Sequence, residues 1–561
     1  MVNDDKQIDR SNSIISLTTS EEEEEEKEEE EKEEEEIELL DRYNLVNQIR
    51  PNDDETSSLD YSDAETSSNS IDINDDAEDY YESYSSKFIN FMNRNPTTYH
   101  VITHFRILLE SNGFKYLPSN KIIEKLDPGF YYTTRDDLCL AAFVVGGNWK
   151  PINGSLFICS HCDALSVKIN PGSSIKKDIN GYNLLGVAPY SGSLNKLWLS
   201  RDLGIAGSIL VKDFKTGKVQ RKLINSYPEP IAFIPPIAPH FGLGEFDYNL
   251  QTQTVPIYGF NNDENAEPPT EEERDSILYG RHSLQLLRYI SRLSKSSIPS
   301  ILQMDLDLVD VQPSCRGGLN KEFIYSSSLD DRLCAFDSVY ALIEFSHTLT
   351  KEQLQSYSGF NGVYLANHEE IGSESRTGAK SGFLVDIFKS IISTQVNQKK
   401  KKVPNELLAN LIKSTILLST DVTHAFNPNF KDVYLDNNFP LPNIGPSIKF
   451  DSNAHVLSDS LGWEFLNRVV DRIDEEFNIK LQHFHIRNDS RSGGTIGPIM
   501  SDGNRGLNGA KLIIDVGLPI LSMHSIRSIM GYKDVGIGIK FYQETFKNWQ
   551  GIIYEMEHGS D

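Results

Sequence analysis

The chain has 561 residues, of which 82 are acidic and 54 basic, and its formal net charge at pH 7 is −28. Most of this charge lies in residues 1–86, where 31 acidic side chains oppose 6 basic ones, while the rest of the chain is nearly neutral at −3. A neutral body lacks the basic face that nucleic-acid binding requires, and no apolar run is long enough to cross a bilayer, so we expect neither a nucleic-acid partner nor a membrane span.

Residues 1–85 are predicted to be a disordered acidic tail. Residues 21–36 are almost all Glu, and Asp, Ser and Asn dominate residues 52–76, so this segment cannot bury enough apolar surface to offset its conformational entropy. One stretch differs, because its apolar side chains are spaced like one face of a short helix that ends before a proline. These side chains are Ile37, Leu39, Leu40, Tyr43, Val46 and Ile49. The stripe indicates either residual helicity or a docking or targeting peptide, and the tail is a candidate propeptide.

Residues 86–165 are predicted to begin the catalytic domain of an α/β body. Apolar residues at helical spacing are followed by two buried strands, at 138–145 and 155–159. The second strand runs directly into His161 and Asp163. Because open α/β sheets place ligand sites at the carboxyl ends of their strands, this His-x-Asp is a candidate site segment.

Residues 166–298 differ in composition from the segments before them. They are rich in Gly, Pro and short runs in which apolar and polar residues alternate, and this predicts a β-rich insertion. Segments 208–213 and 218–224 predict a hairpin, and a helix is expected over 281–293. Residues 299–561 then return to the catalytic domain, because apolar strands alternate there with helical patterns. The predicted fold class is therefore α/β, with a sheet domain interrupted by a β-rich domain.

Five segments of the body share one pattern, an apolar run followed by a metal-type ligand at its end or in a following turn. They are His161 with Asp163, Asp330 in SSLDDR, Glu369 with Glu370 after 363–366, Asp421 after 415–419, and His524 beyond 512–516. Each segment taken alone can also be explained without metal binding, for example as a solvated loop or a helix cap. Together, two imidazoles mixed with carboxylates suit a pair of zinc ions that share one bridging carboxylate.

Within this set, the adjacent Glu369 and Glu370 point in different directions on an extended or turning chain. One can therefore bind a metal while the other takes a proton from the attacking water. Asp163 lies two residues past His161 and is placed to hold the second nitrogen of that imidazole. Signatures of other mechanisms are absent, since the chain has no H-E-x-x-H, G-x-S-x-G or P-loop sequence.

Several long motifs carry a family resemblance, and they occur in order along the chain. They are SHCDAL, SSLDDR, NHEEIGSES, DVTHAFNPN, RNDSRSGGTIGP and LSMHSIR. This series resembles the co-catalytic zinc metallopeptidases of the aspartyl aminopeptidase family. NPTTYH, GFKYL, VAPYSGSLNKLWLSRDLGI, IAPHFG, QMDLDLVDVQ and KDVGIGIKF are closest to the fungal vacuolar branch of that family. The resemblance covers about residues 86–556 and leaves out the tail.

The resemblance implies a role for each candidate residue. Asp330 would bridge two zinc ions per subunit, with His161 and Asp421 completing one site and Glu370 and His524 the other. Glu369 would be the general base for attack of a metal-activated water on the N-terminal peptide bond. Further residues match family positions: His424, Lys449 and Thr495 would line the substrate pocket, and His240 would reach into a neighbouring subunit's active site. From the sequence alone, His240 is more simply interpreted as a loop histidine beside prolines.

The resemblance also implies an architecture, a location and a substrate class. The fold would be a mixed-sheet zinc-exopeptidase domain interrupted by a β-rich oligomerisation domain, assembled as a homododecamer that acts on peptides. The N-terminal segment would engage a selective-autophagy receptor and direct delivery from the cytoplasm to the vacuole; the alternative is a cytoplasmic protein. Members that prefer acidic N-terminal residues carry a tyrosine seven residues past the lysine, where this chain has Val456. A neutral residue such as leucine is therefore expected, with aspartate or glutamate as the alternative.

Two other functions remain open at the level of sequence. The same ligands serve other di-zinc hydrolases, such as a deacylase or a carboxypeptidase, and only the substrate pocket separates these from an aminopeptidase. The second alternative is a self-assembling autophagy cargo or scaffold with little catalysis. The complete set of candidate ligands together with Glu369 argues against that alternative.

Overall fold

The structure is a computed structural model that describes residues 75–119, 123, 125–241, 248–260, 267–395, 405–502 and 506–559. The apolar stripe at 37–49 and most of the acidic tail lie outside these residues. Within the described chain, no helix has both the length and the apolar character that are needed to cross a membrane.

The strands of the described chain are labelled in chain order. They are Lys115–Tyr116 (β1), Gly129–Arg135 (β2), Cys139–Val145 (β3), Ser155–His161 (β4), Ser166–Ile169 (β5), Tyr182–Leu184 (β6), Val187–Tyr190 (β7), Leu203–Lys212 (β8), Val219–Asn225 (β9), Ile257–Phe260 (β10), Ile301–Asp310 (β11), Cys315–Gly317 (β12), Phe323–Ser326 (β13), Phe360–Ala366 (β14), Thr415–Thr420 (β15), Thr423–His424 (β16), Ser447–Phe450 (β17), Gln482–His485 (β18), Leu512–Gly517 (β19), Pro519–Leu521 (β20) and Ser528–Gly531 (β21).

The α-helices are labelled in the same way. They are Asp75–Arg94 (α1), Thr98–Ser111 (α2), Glu271–Arg274 (α3), Leu284–Ser294 (α4), Leu329–His347 (α5), Lys351–Ser356 (α6), Phe383–Gln395 (α7), Asn405–Lys413 (α8), Ser460–Val470 (α9), Ile496–Met500 (α10) and Asp534–His558 (α11).

A nine-stranded mixed sheet organises the body, in the order β1-β2-β3-β14-β4-β15-β19-β17-β18. Its four central strands, β14, β4, β15 and β19, run parallel to one another, while β3 and β17 are antiparallel to their central neighbours. Strands β3, β4 and β14 are buried along their whole length, as expected for strands that are covered on both faces. The α/β class and the mixed sheet predicted from the sequence are confirmed.

Each face of the nine-stranded sheet packs against its own group of helices. Side chains that alternate along β14 separate accordingly: Val363 and Leu365 join the core formed with α1, α2, α5, α9 and α11. Tyr364 and Ala366 face the other way and join the core formed with α7, α8 and α10. The result is a three-layer arrangement in which only the strand ends are left to build a site.

The insertion forms a separate five-stranded antiparallel sheet, in the order β7-β5-β11-β8-β9, with its own core against α4. The hairpin predicted around 213–217 is present as β8 and β9. The predicted boundary at 298 falls just before β11, Ile301–Asp310, which lies in the middle of this sheet, paired with β5 and β8. The chain therefore returns to the catalytic domain only after residue 310.

The N-terminal boundary also differs from the prediction. Helix α1 begins at Asp75, ten residues before the expected end of the tail, and it packs Tyr81, Phe88 and Phe91 into the core of the body. Residues 75–85 therefore belong to the folded domain. The sequence pattern indicated helix α1 only weakly, because acidic and polar residues dominate its exposed face.

Candidate metal centre

Parallel strands bring the first candidate ligands together. His161 is the last residue of β4 and lies level with Ala366, the last residue of β14. Asp421 directly follows β15, which is hydrogen-bonded to the other side of β4. Because the three strands point the same way, the side chains that follow them meet at one edge of the sheet.

The paired glutamates lie in a short 3-10 turn, Glu369–Ile371, just beyond β14. Both ends of the turn have left-handed backbone, with φ of 60° at His368 and 93° at Gly372. The carboxylate of Asp163 holds the start of this turn, since Oδ1 accepts the N–H of Glu369 at 3.1 Å and Oδ2 accepts the N–H of Glu370 at 3.2 Å. Asp163 therefore fixes where the two glutamate side chains begin.

Asp330 lies between the two candidate histidines. Its Oδ1 is 3.2 Å from His161 Nε2, and its Oδ2 is 3.3 Å from His524 Nε2. The residue starts α5 with non-helical backbone, φ −80° and ψ 113°, and the peptide bond to Asp331 is cis. One carboxylate thus offers one oxygen to each imidazole, the arrangement that a bridging ligand requires.

Further groups complete a compact set of donors around His161 Nε2. Glu369 Oε2 and Asp421 Oδ1 are each 3.8 Å from this nitrogen. The ligand atoms of His161, Asp330 and Asp421 all lie within 4.8 Å of one another. The other imidazole nitrogen, Nδ1, is 3.0 Å from the main-chain oxygen of Asp163 and 3.4 Å from its Oδ1. An Nδ1 proton held there leaves Nε2 free to bind a metal ion.

Electrostatics at the centre favour a bound cation. Burial raises the pKa of Glu369 and of Glu370 above the ordinary value, and the neighbouring Asp330 raises that of Glu370 further. Burial also raises the pKa of Asp421, although Lys449 opposes this. Burial works against ionisation of Asp330 too, but its hydrogen bonds with His161 and His524 hold its pKa below the usual range. Several carboxylates therefore share one buried edge with too few cations to compensate them.

Two orphaned oxygens test whether this donor set fits zinc. Glu370 Oε1 and Asp421 Oδ1 are buried and have no hydrogen-bond partner among the described residues. A buried carboxylate oxygen without a partner is costly unless it binds a cation. Two imidazoles with several carboxylates are also the donor chemistry that zinc accepts, so the residues present fit the metal.

The predicted pocket residues fall into different environments. Lys449 is buried, and its Nζ donates to Val422 O at 2.9 Å and is 3.7 Å from Asp421 Oδ2. Thr495 is also buried, and its hydroxyl donates to Asp515 Oδ1 at 2.5 Å. His424 is exposed at the end of β16, with its ring centroid 5.9 Å from that of Phe484.

His240 is not brought to the centre of its own subunit. It lies exposed in the insertion, within the 3-10 turn Pro239–Phe241, and its ring centroid is 4.9 Å from that of Phe241. It is not among the residues that line the cavity beside the centre.

A cavity of about 300 Å³ opens beside the centre, between the body and the insertion. Asp163, Asp330, Glu370 and His524 line it together with Tyr190 from the insertion. The sequence reasoning missed Tyr190, whose hydroxyl donates to Asp163 Oδ2 at 2.8 Å. It stands in the motif VAPYSGSL, but no local pattern distinguishes it from other strand tyrosines. Burial, followed by the Asp163 charge, raises the pKa of this phenol, so the hydroxyl remains a donor.

Comparisons with known proteins match most of the chain to one family of metalloproteases. A family model described as aminopeptidase I zinc metalloprotease (M18) matches residues 91–546. Vacuolar aminopeptidase 1 of Saccharomyces cerevisiae is 42% identical over 482 residues, which cover 85% of this chain and 90% of the yeast protein. The crystal structure of prApe1 superposes with a TM-score of 0.80 at 41% identity, covering 85% of this chain and 98% of that chain. The structure of the S. cerevisiae mApe1 dodecamer gives 0.74 at 39% identity, covering 85% and 99%.

Proposed function

Because this chain belongs to the M18 family of aminopeptidase I zinc metalloproteases, we propose that it uses two zinc ions per subunit to release N-terminal amino acids from peptides. The observation that carries the proposal is the position of Asp330. Its two oxygens, at 3.2 and 3.3 Å, approach two different imidazoles from opposite ends of one carboxylate. A single-ion site has no need of a carboxylate shared in this way.

The ligands divide into two groups around Asp330. His161 and Asp421 would hold one ion, since their ligand atoms cluster with those of Asp330. Glu370 and His524 would hold the other, which gives the orphaned Glu370 Oε1 a partner. When bound, the two ions supply Lewis-acid activation of water and of the scissile carbonyl.

Glu369 is the residue proposed to move the proton. Its Oε2 lies 3.8 Å from His161 Nε2, at the edge of the cluster, and its main chain is fixed by Asp163. In this role it accepts a proton from the attacking water and delivers it to the departing amine nitrogen, so that the peptide bond is replaced by a carboxylate and a free amine. Asp163 holds both the His161 imidazole and the turn at Glu369 in the positions that this proton transfer needs.

A neutral N-terminal residue is the proposed preference. Lys449 is the buried cation nearest to Asp421, but its Nζ already donates to Val422 O and faces the Asp421 carboxylate. Its positive charge is therefore already partly compensated within the chain, which weakens its attraction for a substrate carboxylate. Val456, which stands where acid-preferring relatives carry a tyrosine, is buried and apolar. Both observations favour a residue such as leucine over aspartate or glutamate.

A Glu369→Gln substitution tests the assignment of the base. The amide cannot accept the proton, so we expect kcat on a leucyl chromogenic substrate to fall by about 10²–10⁴-fold while bound zinc is retained. The matched control is Glu374→Gln, five residues further along and exposed, where only the contact with Lys380 changes. Unchanged turnover in Glu369→Gln, measured beside the control, would remove Glu369 from the mechanism.

A substrate panel separates the proposed activity from its alternatives. Leucyl, aspartyl and glutamyl substrates would be assayed with a chelator, and again after zinc is restored. Zinc-restored release of leucine that is blocked by N-acetylation supports an aminopeptidase, whereas cleavage of the acetylated substrate points to a deacylase or a carboxypeptidase. Absence of release from zinc-loaded, assembled protein would favour the cargo or scaffold function.

We also propose assembly and delivery like those of the relatives. One related structure is a dodecamer, and the yeast relative is named a vacuolar enzyme, which supports a homododecamer that reaches the vacuole through a receptor for the N-terminal segment. Assembly would place His240 beside a neighbouring site, consistent with its exposure. Native mass spectrometry tests the dodecamer, and a tagged chain that lacks residues 1–60 tests delivery. Arrival of that chain in the vacuole would overturn the role of the tail and leave the enzymatic proposal intact.

A further inference from the structure

The carboxylate of Asp163 is only 2% exposed, and four donors approach it. Three belong to the body: the N–H groups of Glu369 and Glu370, at 3.1 and 3.2 Å, and His161 Nδ1, 3.4 Å from Oδ1. The fourth is the hydroxyl of Tyr190, which donates to Oδ2 at 2.8 Å. A buried carboxylate is stable in one orientation only while its oxygens are satisfied by donors.

Tyr190 reaches Asp163 from the insertion, where it ends strand β7. Its backbone is fixed there, because Ser166 of β5 is its partner across the strands and its N–H donates to Ser193 Oγ at 3.0 Å. Its ring centroid lies 6.2 Å from that of His368, the residue before Glu369, and 5.7 Å from Lys168 Nζ. Tyr190 therefore has a fixed main chain, and its ring borders the turn that carries both glutamates.

The Tyr190 contact has a consequence for the metal centre. Among the described residues, Oδ2 of Asp163 receives two donors, the Tyr190 hydroxyl and the Glu370 N–H. Without the hydroxyl, one buried lone pair has no partner, and the carboxylate gains freedom to rotate away from His161 and from the glutamate turn. Partners of this kind set the orientation of metal ligands, and their loss typically costs about 10–100-fold in metal affinity or activity.

We infer that Tyr190 is a positioning residue of the zinc centre, through which the insertion orients Asp163 and thereby His161, Glu369 and Glu370. The inference rests on the proposed assignment of His161 and Glu370 as zinc ligands. It gives the insertion a role within its own subunit, in addition to any role in assembly. The Tyr190 hydroxyl acts on these residues through its hydrogen bond to Asp163.

The test is Tyr190→Phe in the full chain, which keeps the ring and removes only the hydroxyl. We expect the zinc dissociation constant, measured by competition with a chromophoric chelator, to rise about 10-fold, and kcat at saturating zinc to fall about 10-fold. KM should change less than about twofold, since no substrate contact is removed. The matched control is Tyr289→Phe, which removes a 2.8 Å hydrogen bond from a tyrosine of the same insertion to Glu229 and should change none of these values.

An Asp163→Asn background establishes the route of the effect. If Tyr190 acts through Asp163, the added Tyr190→Phe change has little further effect on zinc affinity in that background. Wild-type zinc affinity and kcat in Tyr190→Phe, or a full additional loss in the Asp163→Asn background, would overturn the inference. If Tyr190→Phe does not fold, wild-type zinc affinity in Asp163→Asn alone would overturn it as well. Failure of the wild-type chain to bind zinc is a different result, because it contradicts the proposed function itself.

Discussion

Arg332 is buried two residues after Asp330, and its guanidinium is held by main-chain oxygens instead of a carboxylate. Nη1 donates to Asn95 O at 2.9 Å and Nη2 to Pro96 O at 2.8 Å. The planar guanidinium group of Arg332 therefore links the turn between α1 and α2 to the start of α5, the helix that carries Asp330. Pro96 and Arg332 both line the cavity, so this contact supports the wall of the site.

Arg332→Lys is expected to lower the free energy of unfolding by about 2–3 kcal/mol. A single ammonium cannot reproduce the two parallel hydrogen bonds, and a buried carbonyl would lose a charged donor. The control is Arg472→Lys, which changes a similar two-bond contact to Glu555 at the surface and should cost about 1 kcal/mol or less. Denaturant titration measures both values, and an equal effect of the two substitutions would contradict the argument.

Helices α5 and α11 pack together on one face of the sheet because α11 carries glycines where it approaches its neighbours. A Cβ added at Gly538 would overlap the buried carboxylate of Asp337 on α5 and lie 2.8 Å from Leu518 Cδ1. Glycine weakens an isolated helix, so its presence here reflects close packing and not helix propensity. The fully buried first half of α11 is thus shaped by its neighbours.

Gly538→Ala and Gly551→Ala make the same change on the same helix and should act in opposite directions. At Gly538 we expect a loss of about 1–3 kcal/mol of stability, because the fully buried side chains of Asp337 and Leu518 would have to shift within the core. At the exposed Gly551 no atom lies within 4 Å of the added Cβ, so alanine should stabilise by about 0.5–1 kcal/mol. Denaturant midpoints that shift in the same direction in the two variants would disprove the packing account.

At the scale of the whole molecule, α1 joins the N-terminal side of the chain to the body. Phe88 and Phe91 pack against Phe336 of α5, with ring centroids 5.2 Å apart in each pair. At the surface, Glu82 pairs with Arg316 at 2.8 Å. The folded domain thus requires a helix that lies within the acidic N-terminal part of the sequence.

Two truncations test where the folded domain begins. Removal of residues 1–74 leaves every contact of α1 with the described residues in place, so we expect cooperative unfolding with an unchanged midpoint. Removal of residues 1–94 also deletes Phe88 and Phe91, whose burial alone stabilises the protein by about 6–10 kcal/mol. That is comparable to the total stability of a typical domain, about 5–15 kcal/mol, so the shorter chain should fail to fold. Circular dichroism with heating distinguishes the two, and a stable second truncation would contradict the boundary.

Local patterns in the sequence predicted the central strands β4, β14, β15 and β19 and the candidate residues that follow them. An apolar run that ends in His161, Glu369 or Asp421 predicts a ligand at a strand end, because parallel strands bring such ends together. The same logic identified the interrupted α/β class. The same pattern search included Asp330 and His524, whose approach to each other depends on a helix start and a turn.

Contacts between distant segments were decided only by the tertiary structure. The hydroxyl of Tyr190 meets Asp163 across 27 residues, β11 joins the insertion and not the catalytic sheet, and Lys449 is buried beside Asp421. The periodicity of apolar residues along a strand indicates which face of the strand is buried, but not which sheet the strand joins. The sequence around a tyrosine or a lysine likewise does not identify the residue that its side chain will contact. The sequence thus determined the chemistry available at the strand ends, and folding determined which residues hold that chemistry in place.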